Sequence, residues 1–218
     1  MKEAVILVHG LWMNGAEMWR LRQFIKAAGY DCYQFKYASM KASPEENAAL
    51  LNDFAQAIDA QVKHFVCHSL GGLVLLHLFD KHVFQESGRI VFLGSPVNGS
   101  AVAYRLNSKR LTRWMLGKST EHGLLGDRPV WLRPRDLGII AGTLPIGMGL
   151  LVGGLESPHD GSVSVEETYL GGATDSITHP ASHLGLLYSK EVAIQVVTFL
   201  RAGKFGDEVT NLLFDATG

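Results

Sequence analysis

The sequence predicts an α/β fold, a mostly parallel sheet with helices on both faces, and three observations carry that expectation. Short apolar runs bounded by turn residues read as buried strands, and segments of helical spacing lie between them. The 218 residues also suffice to bury a sizeable core and fall within the range of one large domain, here taken as residues 1–218. Strands alternating with helices imply parallel pairing covered from both sides.

The first strand is expected at Ala4–Val8, directly after Met1-Lys2-Glu3. This opening is too short for a signal-peptide core and lacks a small-residue cleavage site, so the expected location is cytoplasmic. A helix follows from Ala16 to Ala28, stopping at Gly29, and a second strand at Cys32–Tyr37. In Ser43-Pro44-Glu45-Glu46 the serine is placed to cap, the proline takes the first helical position and Glu46 completes a capping box. That helix should run to Asp59 or Ala60.

Strand Phe65–Cys67 leads into a helix from Leu70 to about Phe84, and strand Ile90–Leu93 comes next. The alternation lapses between Gly99 and about Arg135, which marks residues 100–135 as a candidate cap. Within it, Tyr104–Lys118 mixes Arg105, Lys109, Arg110, Arg113 and Lys118 with Leu106, Leu111, Trp114 and Met115, and an amphipathic surface helix with solvated cations is the plain expectation. Strand Leu137–Ala141 opens an uncharged stretch reaching Leu155. Its six glycines and Pro145 make a poor membrane helix, so an apolar loop and no transmembrane span are expected. The last helix should run from His183 through Leu200 to Gly203.

Charge excludes little chemistry but one class of partner. Lys plus Arg number 20 against 21 Asp plus Glu, a balance that offers no field for nucleic acid. The two cysteines, Cys32 and Cys67, lie in apolar runs and suggest buried thiols rather than disulfides or a metal site.

The run Lys63-His64-Phe65-Val66-Cys67-His68-Ser69-Leu70-Gly71-Gly72 puts Ser69 where a strand pattern breaks into a helical one. A strained strand-turn-helix elbow lifts a serine hydroxyl clear of the sheet, and it needs small residues two before and two after the serine. Gly71 meets the second need, whereas Cys67 stands where G-x-S-x-G has glycine. A serine hydroxyl alone is a weak nucleophile and needs a base and a group to orient that base. In chain order an acid and then a histidine should follow. His183, just before the last helix, is the expected base, with His179 second; His9, His64, His68, His77 and His82 are assigned structural or surface roles. The acid should lie between the Leu137–Ala141 strand and His183. Asp160, in the tight-turn sequence His159-Asp160-Gly161-Ser162, is the first choice, with Asp175 and then Glu156 as alternatives. A developing oxyanion needs preorganised N–H donors, and those of Leu70, after the serine, and Leu11, after the first strand's His9-Gly10, are the candidates.

Together these segments resemble the bacterial lipase and esterase branch of the α/β-hydrolases. His9-Gly10-Leu11 resembles the oxyanion turn, His68-Ser69-Leu70-Gly71-Gly72 the elbow, Gly94-Ser95-Pro96 with Gly99-Ser100 the turn after the next strand, and Asp160-Gly161-Ser162-Val163 the acid loop. His183-Leu184-Gly185-Leu186-Leu187-Tyr188-Ser189 is similar to the base-bearing segment of small lipases. The resemblance implies a Ser69–His183–Asp160 triad, an acyl-enzyme, a small acyl ester or lipid as substrate, and neither cofactor nor metal. Trp12, Met13, Trp19 and the loop from Ile146 to Leu155 would favour a short or medium acyl group. A thioesterase or acyltransferase would use the same three residues, and a non-catalytic binding protein of this fold would have no need of all three. Nothing in the sequence sets an oligomeric state.

Overall fold

The computed structural model describes residues 2–84, 86–132, 135–147 and 149–206. Six strands, β1 Glu3–Val8, β2 Asp31–Phe35, β3 Val62–His68, β4 Ile90–Leu93, β5 Leu137–Gly142 and β6 Asp175–His179, form one sheet in the order β2-β1-β3-β4-β5-β6. Every neighbouring pair is parallel. The helices are α1 Trp19–Ala27, α2 Pro44–Gln56, α3 Leu70–Lys81, α4 Ala101–Ser108, α5 Gly149–Val152, α6 Gly185–Tyr188 and α7 Lys190–Ala202.

Side chains alternate along each strand, so β1 sends Ala4, Ile6 and Val8 to one face and Val5 and Leu7 to the other. The first set packs with Leu51 and Ala55 of α2 and Leu73 and Leu76 of α3. The second packs with Leu21 and Ile25 of α1 and Val196 and Phe199 of α7. Two apolar layers thus cover the sheet, as the unbroken apolar strands require.

The capping box forms as its residues predict: Ser43 Oγ accepts from Glu46 N at 3.1 Å while Ser43 N donates to Glu46 Oε2 at 2.7 Å. The helix ends at Gln56 rather than at 59 or 60, because Ile58 and Ala60 turn inward to bury themselves before β3. Helix α3 likewise ends at Lys81, where His82 is already extended. The expected C-terminal helix is broken at Ser189, whose extended backbone and Oγ bond from Val192 N at 3.2 Å cap α7. It stops as expected at Gly203, φ 73°. The amphipathic helix expected over 104–118 begins instead at Ala101, capped by Ser100, and ends at Ser108; short 3-10 turns at Arg113–Met115 and Gly117–Thr120 replace the rest.

Strand β6 is absent from the sequence-based expectation. It is an edge strand reading Asp-Ser-Ile-Thr-His, with only Ile177 as a large apolar side chain, so it gives no buried run. Both thiols are free. Cys67 is fully buried in the core beside α3 and Cys32 is partly covered on β2. Among the described residues no helix is long and apolar enough to cross a membrane. The expected single-domain span includes residues 1, 85, 133, 134, 148 and 207–218, which lie outside those described.

Candidate active site

Strand register brings the pieces together. Val8 pairs with Cys67 and His68 pairs with Leu93, so the carboxyl ends of β1, β3 and β4 finish level. The loops that leave these ends share one edge of the sheet, where open α/β sheets bind ligands.

Ser69 occupies the β3–α3 junction with φ 53° and ψ −122°, a conformation costly to a residue with a Cβ. Its N–H donates to Leu93 O at 3.0 Å, which anchors the elbow to β4. The glycines around it are imposed by contact. A Cβ on Gly71 would stand 2.5 Å from the Val8 carbonyl, and one on Gly72 2.4 Å from Ser95 Oγ. Cys67, where the usual pattern has glycine, is fully buried in the apolar layer that also holds Leu70, Leu73 and Val74 of α3, so its small side chain is accommodated there. Gly10 is as tightly placed: an added Cβ would lie 2.9 Å from Ser69 Cβ. The turn after β1 therefore presses directly on the serine.

Asp160 is almost fully buried, and both its carboxylate oxygens are engaged. Oδ1 accepts from the N–H groups of Ser162 and Val163 at 2.9 and 2.7 Å, closing the loop through Gly161 at φ 91°. Oδ2 accepts from His183 Nδ1–H at 2.7 Å. That bond leaves His183 Nε2 as the free lone pair. Gly94, φ 56°, lies beneath the pair, and a Cβ there would come within 3.1 Å of both Asp160 Oδ2 and His183 Nδ1.

Ser69 and His183 line the same cavity of about 550 Å³. Leu11, Met13, Leu106, Leu116, Leu124 and Ile146 make most of its wall apolar. Part of that wall, from Val102 to Leu124, comes from the segment expected as a cap. Trp12 and Met13 reach the cavity, as do Ile146 and Gly147 from the apolar loop, whereas Trp19 stands on α1 outside it. Leu11 lines the cavity; Leu70 turns its side chain into the core and offers the site only main chain. As the first residue of α3, Leu70 has no intrahelical acceptor for its N–H.

The alternative residues lie elsewhere. Asp175 starts β6 at the opposite edge and its Oδ2 accepts from Phe205 N at 2.8 Å. Glu156 is exposed in a loop, and His179 Nε2 meets Ser189 Oγ at 3.1 Å.

Two histidines assigned to structural or surface roles contact the site directly. His68 is fully buried, its Nε2–H donating to the His183 carbonyl at 3.0 Å and its ring 4.6 Å from that of His183. Burial above all, and then the His183 ring, push its pKa well below the ordinary histidine value and keep it neutral. His9 stacks on Tyr37 at 4.2 Å, accepts from Tyr37 N at 3.3 Å through Nε2, and donates from Nδ1 to Gly10 O at 2.9 Å. It thereby fixes the turn that faces Ser69. The signal for His9 was its place after β1; no sequence pattern connects His68 to a carbonyl 115 residues later. Among the described residues no group of three or more His, Cys, Asp or Glu side chains is arranged to hold a metal.

The comparisons with known proteins agree with this architecture. A lipase of Bacillus licheniformis, BlEst2 in mature form, superposes with a TM-score of 0.70 at 18% identity, covering 93% of this chain and 92% of the other. Phospholipase PlaB from Legionella pneumophila gives 0.72 at 15% identity over 99% of this chain and 63% of its own. A pyrethroid hydrolase from Sphingobium faniae gives 0.63 at 15%, covering 93% and 98%. No curated protein matches by sequence. The model described as "Alpha/beta hydrolase family" matches residues 5–203, and with a six-stranded parallel sheet, a strained serine elbow and an Asp–His pair at one sheet edge, the chain belongs to that family.

Proposed function

We propose that the protein is a serine hydrolase that cleaves carboxylic esters through an acyl-enzyme. The observation that carries this reading is the Asp160–His183 bond of 2.7 Å beside a cavity that also holds Ser69 at φ 53°. In this reading Ser69 Oγ attacks the ester carbonyl carbon while His183 Nε2 takes its proton. Asp160 holds the imidazole tautomer and stabilises the imidazolium. The tetrahedral oxyanion accepts from Leu11 N–H and Leu70 N–H, each worth about 3 kcal/mol in the transition state. His183 returns the proton to the departing alcohol, and the same base then activates water to release the acid.

The apolar cavity wall supports an acyl group as the part of the substrate held. Lipases, a phospholipase and a pyrethroid hydrolase among proteins of similar fold lend support to ester chemistry. The test is hydrolysis of p-nitrophenyl esters from acetate to palmitate by the wild type and by Ser69→Ala. Turnover by the wild type, with a loss of several orders of magnitude in the variant, is expected. Equal turnover by the two proteins would remove Ser69 from the mechanism.

A further inference from the structure

We infer that the rim of the cavity docks on an anionic phospholipid surface through the segment from Lys109 to Trp114. The choice of a lipid surface rests on reading the cavity as an acyl-ester site; the binding itself does not.

Two features of the segment coincide. From residue 99 to 120 the chain carries five cations, Arg105, Lys109, Arg110, Arg113 and Lys118, and no carboxylate. Arg105, though exposed, donates to Val152 O at 3.4 Å, and Lys118 pairs with Glu46 at 3.2 Å. Lys109, Arg110 and Arg113 are exposed, and none has a salt bridge among the described residues. Beside them Leu111 is 84% and Trp114 71% exposed. Trp114 Nε1–H donates to the Leu111 main-chain carbonyl at 2.9 Å, which ties the indole to the turn bearing Leu111 and makes this turn an exposed apolar knob among the three cations.

The knob adjoins the opening. Trp12, a wall residue of the cavity and itself exposed, donates from Nε1 to Met115 O at 2.6 Å. Ile146 and Leu184, also exposed, continue the apolar rim on other loops. Tryptophan and leucine bracketed by lysine and arginine match the headgroup region of an anionic bilayer, where the indole sits at the interface and the cations meet lipid phosphate. The net charge of −1 supplies no such attraction by itself, so the complementarity is local to this rim. A bilayer held there would present its acyl esters to the cavity mouth.

The test uses the full chain carrying Ser69→Ala, so that hydrolysis does not alter the vesicles and failure of docking is distinct from failure of the ester reading. Cosedimentation and tryptophan emission are measured with vesicles of phosphatidylcholine alone and with added phosphatidylglycerol. Binding to the anionic vesicles only, weakened by salt, is expected. Lys109→Glu with Arg110→Glu should lower partitioning at least about 25-fold, at about fivefold for each cation lost. Leu111→Ser with Trp114→Ser should abolish the blue shift, and circular dichroism melts matching the parent show that both variants fold. Absence of vesicle binding by the parent, or binding that neither double variant weakens, overturns the proposal. So does retention of a DNA duplex without vesicle binding, which would assign the cations to nucleic acid.

Discussion

His183 is bound to Asp160 twice: its main-chain N–H donates to the Asp160 carbonyl at 2.9 Å and its ring Nδ1–H to Oδ2 at 2.7 Å. The main-chain link sets the height of the imidazole and the side-chain link sets its tautomer. Asp160→Asn keeps an acceptor for Ser162 N and Val163 N but turns an amide donor toward Nδ1. It should melt near the wild type and lose about 10⁴-fold in kcat on a p-nitrophenyl ester. Asp160→Ala also orphans the N–H groups of Ser162, half-buried, and Val163, buried, and should cost about 2–4 kcal/mol of stability by denaturant titration. A wild-type rate in both would move the role to another carboxylate.

His68 holds the other side of the same residue, and among the described residues only its Nε2–H finds a partner. Gln reaches that position with an N–H donor, whereas Phe fills the volume without one. His68→Phe should lower kcat about tenfold with KM little changed, and His68→Gln should recover most of it, as expected for one hydrogen bond of about 1–1.5 kcal/mol. Steady-state kinetics of the two variants separates this from a loss of packing, which would affect Gln at least as much as Phe.

Ser69 makes no side-chain cap to α3, so removing its hydroxyl costs that helix nothing, and removing its Cβ relieves the strained backbone. Ser69→Gly should be inactive yet more stable by about 1 kcal/mol than Ser69→Ala, the net of relieved strain and glycine's added chain entropy. Urea titration of the two variants decides it. Equal stability would mean that the elbow is relaxed.

Stability should fall with acid. Burial lowers the pKa values of His9, His64 and His68 in the folded state, so the unfolded chain binds more protons once pH drops below about 6.5. Their contribution is whole above that value and is lost as pH falls, by up to about 1.4 kcal/mol per pH unit for each. Melting temperatures from pH 7.5 to 5.5 should therefore decline, and His68→Gln should flatten part of the slope. A flat profile for the wild type contradicts it.

Much of the site could be read from residue order because it depends on local rules. The elbow at Ser69, the Asp160-Gly161 turn and the place of His183 before the last helix are each set by a few neighbouring residues. What escaped depends on distant partners. Strand β6 exists because β5 offers Asp175–His179 an edge to pair with, not because those residues form an apolar run. His68 and His9 act on backbone carbonyls, which leave no residue-type signal. Ser189 could have been read as a cap, but Gly185–Tyr188 continues the helical spacing before it and concealed the break.

The two thiols have a practical consequence. Burial raises the pKa of Cys67 far above its ordinary value and that of Cys32 to about 12, so neither supplies thiolate at neutral pH. An alkylating reagent added to the native protein should reach the fully buried Cys67 only when the chain opens. The labelling rate of Cys67 then becomes an internal clock of spontaneous unfolding, while, on the proposed mechanism, a fluorophosphonate directed at Ser69 should report on the intact fold.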